Sequence, residues 1–320
     1  MATMLDTEKV VAIQAEYEEE KQLNIFGHIV WWSLPSAFTC SFEKFQDIWN
    51  KNLGQKLSIS PPKSSTNFLR IMASLETYAK SLGTNIVCKQ VENTNRIVYI
   101  IAKLEKGNDA TETDISRYNI IIFDKQQKKI LANHNDAIVN HIKTEMENLE
   151  GNITSYDVSR ALINLISNSY GYELRDRGGL YFIPKNRELI RNLKKTMNEI
   201  FSNPQVISTI PLITSTGNIR AVYYEVKKKI EEEMESAITS LKEVLEKSDV
   251  KNQDRMLATR FKALDHLRQK LQVYSECLSF YSEELKQLDQ EATKRVQELL
   301  LAKPTSQTTG TSTSSPSSGS

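Results

Sequence analysis

Apolar residues along the chain repeat with two different periods, and the switches between them outline the elements. "GHIVWWSLP" (27–35) is a run of β-branched and aromatic residues between Gly27 and Pro35, which predicts a strand. In "SFEKFQDIWNKNLG" the spacing becomes helical, with Phe42, Phe45, Ile48 and Trp49 apolar, Ser41 placed as cap and Gly54 just past the end. A Pro-containing connection leads to a second helix carrying Phe68, Ile71, Met72 and Leu75 on one face and stopping at Gly83. Three strands follow, at 85–93, 96–106 and 117–131. The polar "NTN" joins the first two as a hairpin, and the third folds back at "DKQQKK". An antiparallel meander with helices on one face accounts for residues 25–132.

From Asp136 the pattern is helical again through Leu149, and a further helix starts at Thr154 or Ser155 with Val158, Leu162, Leu165 and Ile166 apolar. "GYELRDRGGLYFIP" reads as a hairpin by alternation and turn chemistry, and a helix at 186–201 follows it. Helix, turn, helix, hairpin, helix is the order of a winged-helix arrangement, in which the helix before the hairpin reads nucleic acid and the hairpin is the wing. "NPQVISTIPLI" (203–213) is extended and suits a sheet edge. From Ile219 a helical stripe runs to Leu245, and "KSDVKNQD" breaks it.

The strongest periodicity comes last. Leu264, Leu271, Leu278 and Leu285 hold one position of a seven-residue repeat, and Leu267, Tyr274, Tyr281 and Leu288 hold the position three further on. Sustained over about six heptads, with no Gly or Pro before Ala302, this predicts a coiled-coil helix roughly 70 Å long. It would lie antiparallel to the shorter helix before it, leaving an unmatched apolar end for a second chain to cover.

The expected fold class is therefore α+β: an N-terminal helix (1–24), a mixed domain with an antiparallel sheet (25–133), a helix-turn-helix plus β-hairpin module (134–213), a long helical hairpin or coiled coil (214–302) and a disordered Ser/Thr/Gly/Pro tail (303–320). Charge adds little direction. Lys plus Arg number 41 against 40 for Asp plus Glu, so no overall field attracts nucleic acid or an anionic membrane, and any such site must be a local patch. The apolar runs are too short to span a bilayer, and the N-terminus lacks the pattern of a signal peptide, so a soluble, cytoplasmic protein is expected. Cys40, Cys88 and Cys277 are odd in number and widely spaced, as expected of reduced thiols.

Candidate chemistry is sparse. "RDRGGLYF" lacks the helix N-terminus and the Lys-Ser/Thr pair of a phosphate loop, so Gly178 and Gly179 are read as turn residues that accept positive φ. As a wing, the hairpin would present Arg175 and Arg177, with Lys185, Arg187, Arg191, Lys194 and Lys195 just beyond. The would-be reading helix exposes Tyr156, Asp157, Arg160, Asn164 and Asn168, which is thin for phosphate contact. His134 and His141 share a helix face without further ligands at diagnostic spacing, and no cofactor or metal is expected. Cys40 lies beside a helix start that would lower its pKa, but no partner base is evident. No hydrolase elbow, Walker loop, kinase or zincin motif is present.

"WWSLP" near the start, "GGLYFIP" after a central helix, "TIPLI" about 25 residues later and a long helical C-terminus together resemble a family of uncharacterised proteins from bacteria, archaea and their phages. In that family a Trp/Tyr-x-x-Pro start precedes a GG-(Val/Leu)-Tyr-Phe-(Val/Ile)-Pro segment. The resemblance spans roughly residues 25–300. It implies that Gly178, Gly179, Tyr181, Phe182 and Pro184 form a recurring hairpin, and it brings no activity and no catalytic or binding residue. The resulting expectation is a non-enzymatic interaction or scaffolding protein that associates with itself or another protein through the coiled coil. The alternative is a DNA- or RNA-binding protein using residues 154–201.

Overall fold

A computed structural model describes residues 13–15, 18–19, 23–106, 113–175, 179–246 and 250–301. The expected N-terminal helix and C-terminal tail fall largely or wholly outside these residues. The chain forms two compact units, one drawn from 32–165 and 188–208, the other from 15–31, 166–187 and 209 onward. The residues read from sequence as one module, 134–213, are thus divided between the two units.

In the first unit, β3 (Ile86–Asn93), β4 (Arg96–Lys106), β5 (Thr113–Asp124) and β6 (Lys129–Ala132) form an antiparallel sheet in sequence order. Helices α2 (Ser64–Ser81) and α3 (Ala137–Asn148) cover one face of it. Phe68, Ile71, Met72 and Leu75 of α2 meet Ile97, Ile101, Ile121 and Phe123 of the strands, with Phe68 stacked on Phe123 at 5.0 Å. Each such fully buried side chain contributes about 1.5–3 kcal/mol. Asn119, beside a bulge in β5, is buried but paired: its amide nitrogen donates to the His134 carbonyl at 2.9 Å, and its oxygen accepts from the Asn133 and His134 amides.

A short ribbon pairs β2 (Thr39–Ser41) with β7 (Asn152–Thr154), and each strand ends at a helix start. Ser41 caps α1 (Phe42–Leu53) by accepting the Lys44 amide at 3.2 Å, and Gly54 ends it at φ 62°. Thr154 opens α4 (Ser155–Asn168), where the Asp157 carboxylate reaches back to accept from the Thr154 amide at 3.0 Å and from its hydroxyl at 3.1 Å. The amphipathic α5 (Arg187–Phe201) buries Leu189, Ile190, Leu193 and Met197 and ties to α1 through Asn52 and Glu199 at 2.8 Å.

The second unit is built on a sheet of order β10-β1-β9-β8, with β1 Ile25–Trp32, β8 Tyr172–Glu173, β9 Tyr181–Pro184 and β10 Ile207–Ile213. The first predicted strand therefore leaves the meander and pairs antiparallel with β9, Gly27 opposite Pro184 and Ile29 opposite Phe182. Gly27 is required by close approach: a Cβ there would lie 2.3 Å from the Phe182 ring and 2.7 Å from the Ile183 carbonyl.

Three helices complete this unit: α6 (Thr216–Glu246), α7 (Val250–Cys277) and α8 (Ser282–Leu301). The single helix expected for the heptad segment is broken by a 3-10 turn at Ser279–Tyr281, after which α8 runs back along α7. Arg268 pairs with Asp289 at 3.2 Å across the two, while Tyr223–Tyr281 stacking at 3.7 Å and Arg295–Glu235 at 2.8 Å align α8 parallel to α6. No Gly or Pro marks the reversal. Its local signal is Ser282 followed by Glu283 and Glu284, the acidic first turn of a new helix. Folding back lets the stripe bury itself inside one chain, where a straight helix would leave half of it in water.

Candidate interaction surfaces

The first unit's sheet has one covered face and one open face. Strand alternation sends Ile97, Ile101 and Ile121, all at 0% exposure, toward α2 and α3. The opposite parity gives Val98, Ile100, Ala102 and Leu104 on β4 and Ile115, Ile120 and Ile122 on β5, flanked by Val87 on β3 and Leu131 on β6. Cross-strand register sets Leu131, Ile122 and Val98 in one row, Ile120 and Ile100 in the next, and Arg117, Ala102 and Val87 in a third, so one basic position falls within the apolar rows. At their margins Val87, Leu131 and Ile115 are 44%, 56% and 71% exposed. Apolar residues at both parities, as in "RIVYIIA" and "NIIIF", characterise strands buried on two faces.

A second feature of the same unit is a groove of about 1290 Å³ between α2, the end of α3, the start of α4 and the loop at Ser36–Phe38. Tyr156, 61% exposed, stands in it with the Arg70 guanidinium 5.0 Å and the Arg160 guanidinium 5.9 Å from its ring centre. Arg70 is held by two bonds to Asp157, at 2.8 and 2.6 Å. Burial pushes the Asp157 carboxyl up, but hydrogen bonds from Arg70 and Thr154 outweigh it and hold it below the usual range. Glu145 and Glu147 also line the groove.

The expected basic set is divided between the two units. β9 is an interior strand with all four side chains buried, so this arm of the expected hairpin belongs to a sheet. Gly179 takes φ 61°, as a turn glycine should, while Arg177 and Gly178 lie outside the described residues. Arg175 and Lys185 are exposed; Arg187 is half-buried and donates to the Leu23 carbonyl. These three belong to the second unit, whereas Arg191, Lys194 and Lys195 belong to the first. Arg191 lies 3.8 Å from Glu188, Lys194 is half-buried and Lys195 is exposed.

The heptad seam is occupied from within. Leu264, Leu267, Leu271, Tyr274, Leu278 and Leu285 are buried among α6, α7 and α8, and Tyr281 and Leu288 pack against the same cluster. Inside the seam sits a polar group absent from the sequence reading. Lys270, 4% exposed, donates to both oxygens of Glu233 at 2.9 and 3.2 Å, its ammonium 4.2 Å from the Tyr172 ring centre. The Tyr172 hydroxyl donates to Glu233 at 2.6 Å, and burial together with that carboxylate holds the phenol protonated.

The thiols are poor nucleophiles. Burial raises Cys40 despite the opposing pull of Lys44, the reverse of the shift expected from a helix start. Burial likewise pushes Cys88 to about 12 and Cys277 to about 11. His141 stacks on Tyr78 at 3.5 Å, and among the described residues no three His, Cys, Asp or Glu side chains are grouped to hold a metal ion. Among them, too, no helix is long and apolar enough to cross a membrane.

Fold and surfaces together define a mixed α+β protein with antiparallel sheets and a C-terminal helical region. The chain belongs to the family of unknown function DUF6744, whose model matches residues 25–306, beginning at the first residue of β1. No curated protein and no solved structure matches it.

Proposed function

We propose that the protein is a non-enzymatic interaction protein that docks another protein chain on the open face of the β3–β6 sheet. The observation that supports this reading is the apolar character of β4 and β5 at both parities, when α2 and α3 cover only one. The heptad seam, where the sequence alone places the interaction, packs against the chain's own helices. A photo-crosslinking residue at Ile100, set against one at the exposed Glu43, tests it in the cells the protein comes from. A protein adduct from position 100 alone is expected; no adduct there overturns the reading.

A second reading, nucleic-acid binding, is favoured by the Tyr156 platform with Arg70 and Arg160, since stacking and guanidinium contacts suit single strands. Glu145 and Glu147 in the same groove oppose phosphate. Salt-dependent binding of a labelled oligonucleotide that Arg160→Glu abolishes would support it, and binding indifferent to that change would remove it.

A further inference from the structure

We infer that the occupant of the open β3–β6 face is a second copy of this chain, the two sheets packing face to face about a twofold axis. This rests on reading the face as a protein-docking surface. Size is the first consideration. At about 3.3 Å per residue and about 4.8 Å between strands, the four strands cover roughly 550 Å² in projection. Side-chain relief brings that near the ~800 Å² each partner gives to a standard interface. The face is too large for a short peptide and matches a surface of its own dimensions.

Charge is the second. A twofold axis sets a patch against itself, so a border of one sign would repel its own image. Here both signs occur: on the outward parity Lys89 and Glu92 lie along β3 and Arg117 lies on β5, and Arg96 stands 3.9 Å from Asp124 at the end of the rows. The whole chain carries +1, so two copies approach without long-range repulsion. A strongly acidic or basic partner finds no counterpart at this border. Shape is the third, because β-branched rows on two like sheets interdigitate about 10 Å apart with strands crossing near 30°.

Analytical ultracentrifugation of the full chain tests the inference. The wild type is expected to sediment as a dimer at about 100 µM. Ile100→Lys, in the centre of the patch, should weaken association at least about thirtyfold with far-UV circular dichroism unchanged. The milder pair Val98→Thr and Ile120→Thr keeps β-branched residues and should weaken it in the same direction, so a folding failure of the lysine variant leaves the test intact. A wild type that stays monomeric, or a dimer indifferent to both variants, overturns the second copy. If the wild type is monomeric while position 100 crosslinks to a different protein, only the identity of the occupant falls. If it is monomeric and position 100 crosslinks to nothing, the docking surface falls with it.

Discussion

The two units each carry an apolar surface, and they treat it in opposite ways. In the second unit the heptad stripe closes on itself, with Tyr274, Leu278 and Leu285 fully buried among three helices. In the first unit the meander buries Ile97, Ile101 and Ile121 fully and leaves Val98, Ile100 and Ile122 half-buried on the other face. A helical segment running from Val250 to Leu301 can be cut by one 3-10 turn and folded onto its own stripe. A four-stranded sheet has no such option, since bending it would break the ladder that holds it. Periodicity therefore reports that a surface must be covered, and the element's capacity to fold back decides whether the same chain covers it.

Substitutions should separate these two surfaces. The largest effect is expected at the buried polar group: Glu233→Leu leaves Lys270 buried without its counter-charge and should cost about 3–5 kcal/mol in chemical denaturation. Adding Lys270→Met should recover most of that loss. Next, Leu267→Ala inside the bundle should cost about 2–5 kcal/mol, whereas Ile100→Ala at low protein concentration should cost under about 1.5 kcal/mol. Equal costs would mean that the sheet face is already covered. Arg70→Met tests the first unit's own polar anchor. Because the Asp157 pKa is depressed in the fold, its stabilisation is present above the unfolded carboxylate value and is lost as pH falls through the folded one. The stability gap between wild type and Arg70→Met should therefore shrink on acidification below about pH 4. Ser41→Ala should be the smallest, about 1 kcal/mol for one lost cap bond.

Local elements were legible because local chemistry sets them. Ser41 and Gly54 bracket α1 as their residue types require, and Thr154 with Asp157 opens α4. What escaped was non-local. The reversal near Leu278 was hidden because Leu278, Tyr281 and Leu285 stay in heptad register through it. The central place of β9 was written in Tyr181, Phe182, Ile183 and Pro184, an unbroken apolar run that fits a strand covered on both sides better than a wing. The Tyr156 groove assembles α2, α3 and α4, and no spacing in the sequence brings Arg70 to Asp157.

The pairing of β1 with β9 also sets a timetable for synthesis. About 150 residues separate Trp32 from Tyr181, and at ~5–20 residues per second the ribosome needs roughly 8–30 s to deliver the partner strand. Through that interval "IFGHIVWW" has no ladder to join, and β10 on its other side emerges later still. The nascent chain thus carries an unpaired aromatic strand while the meander completes itself, and this interval is when a chaperone would be needed most.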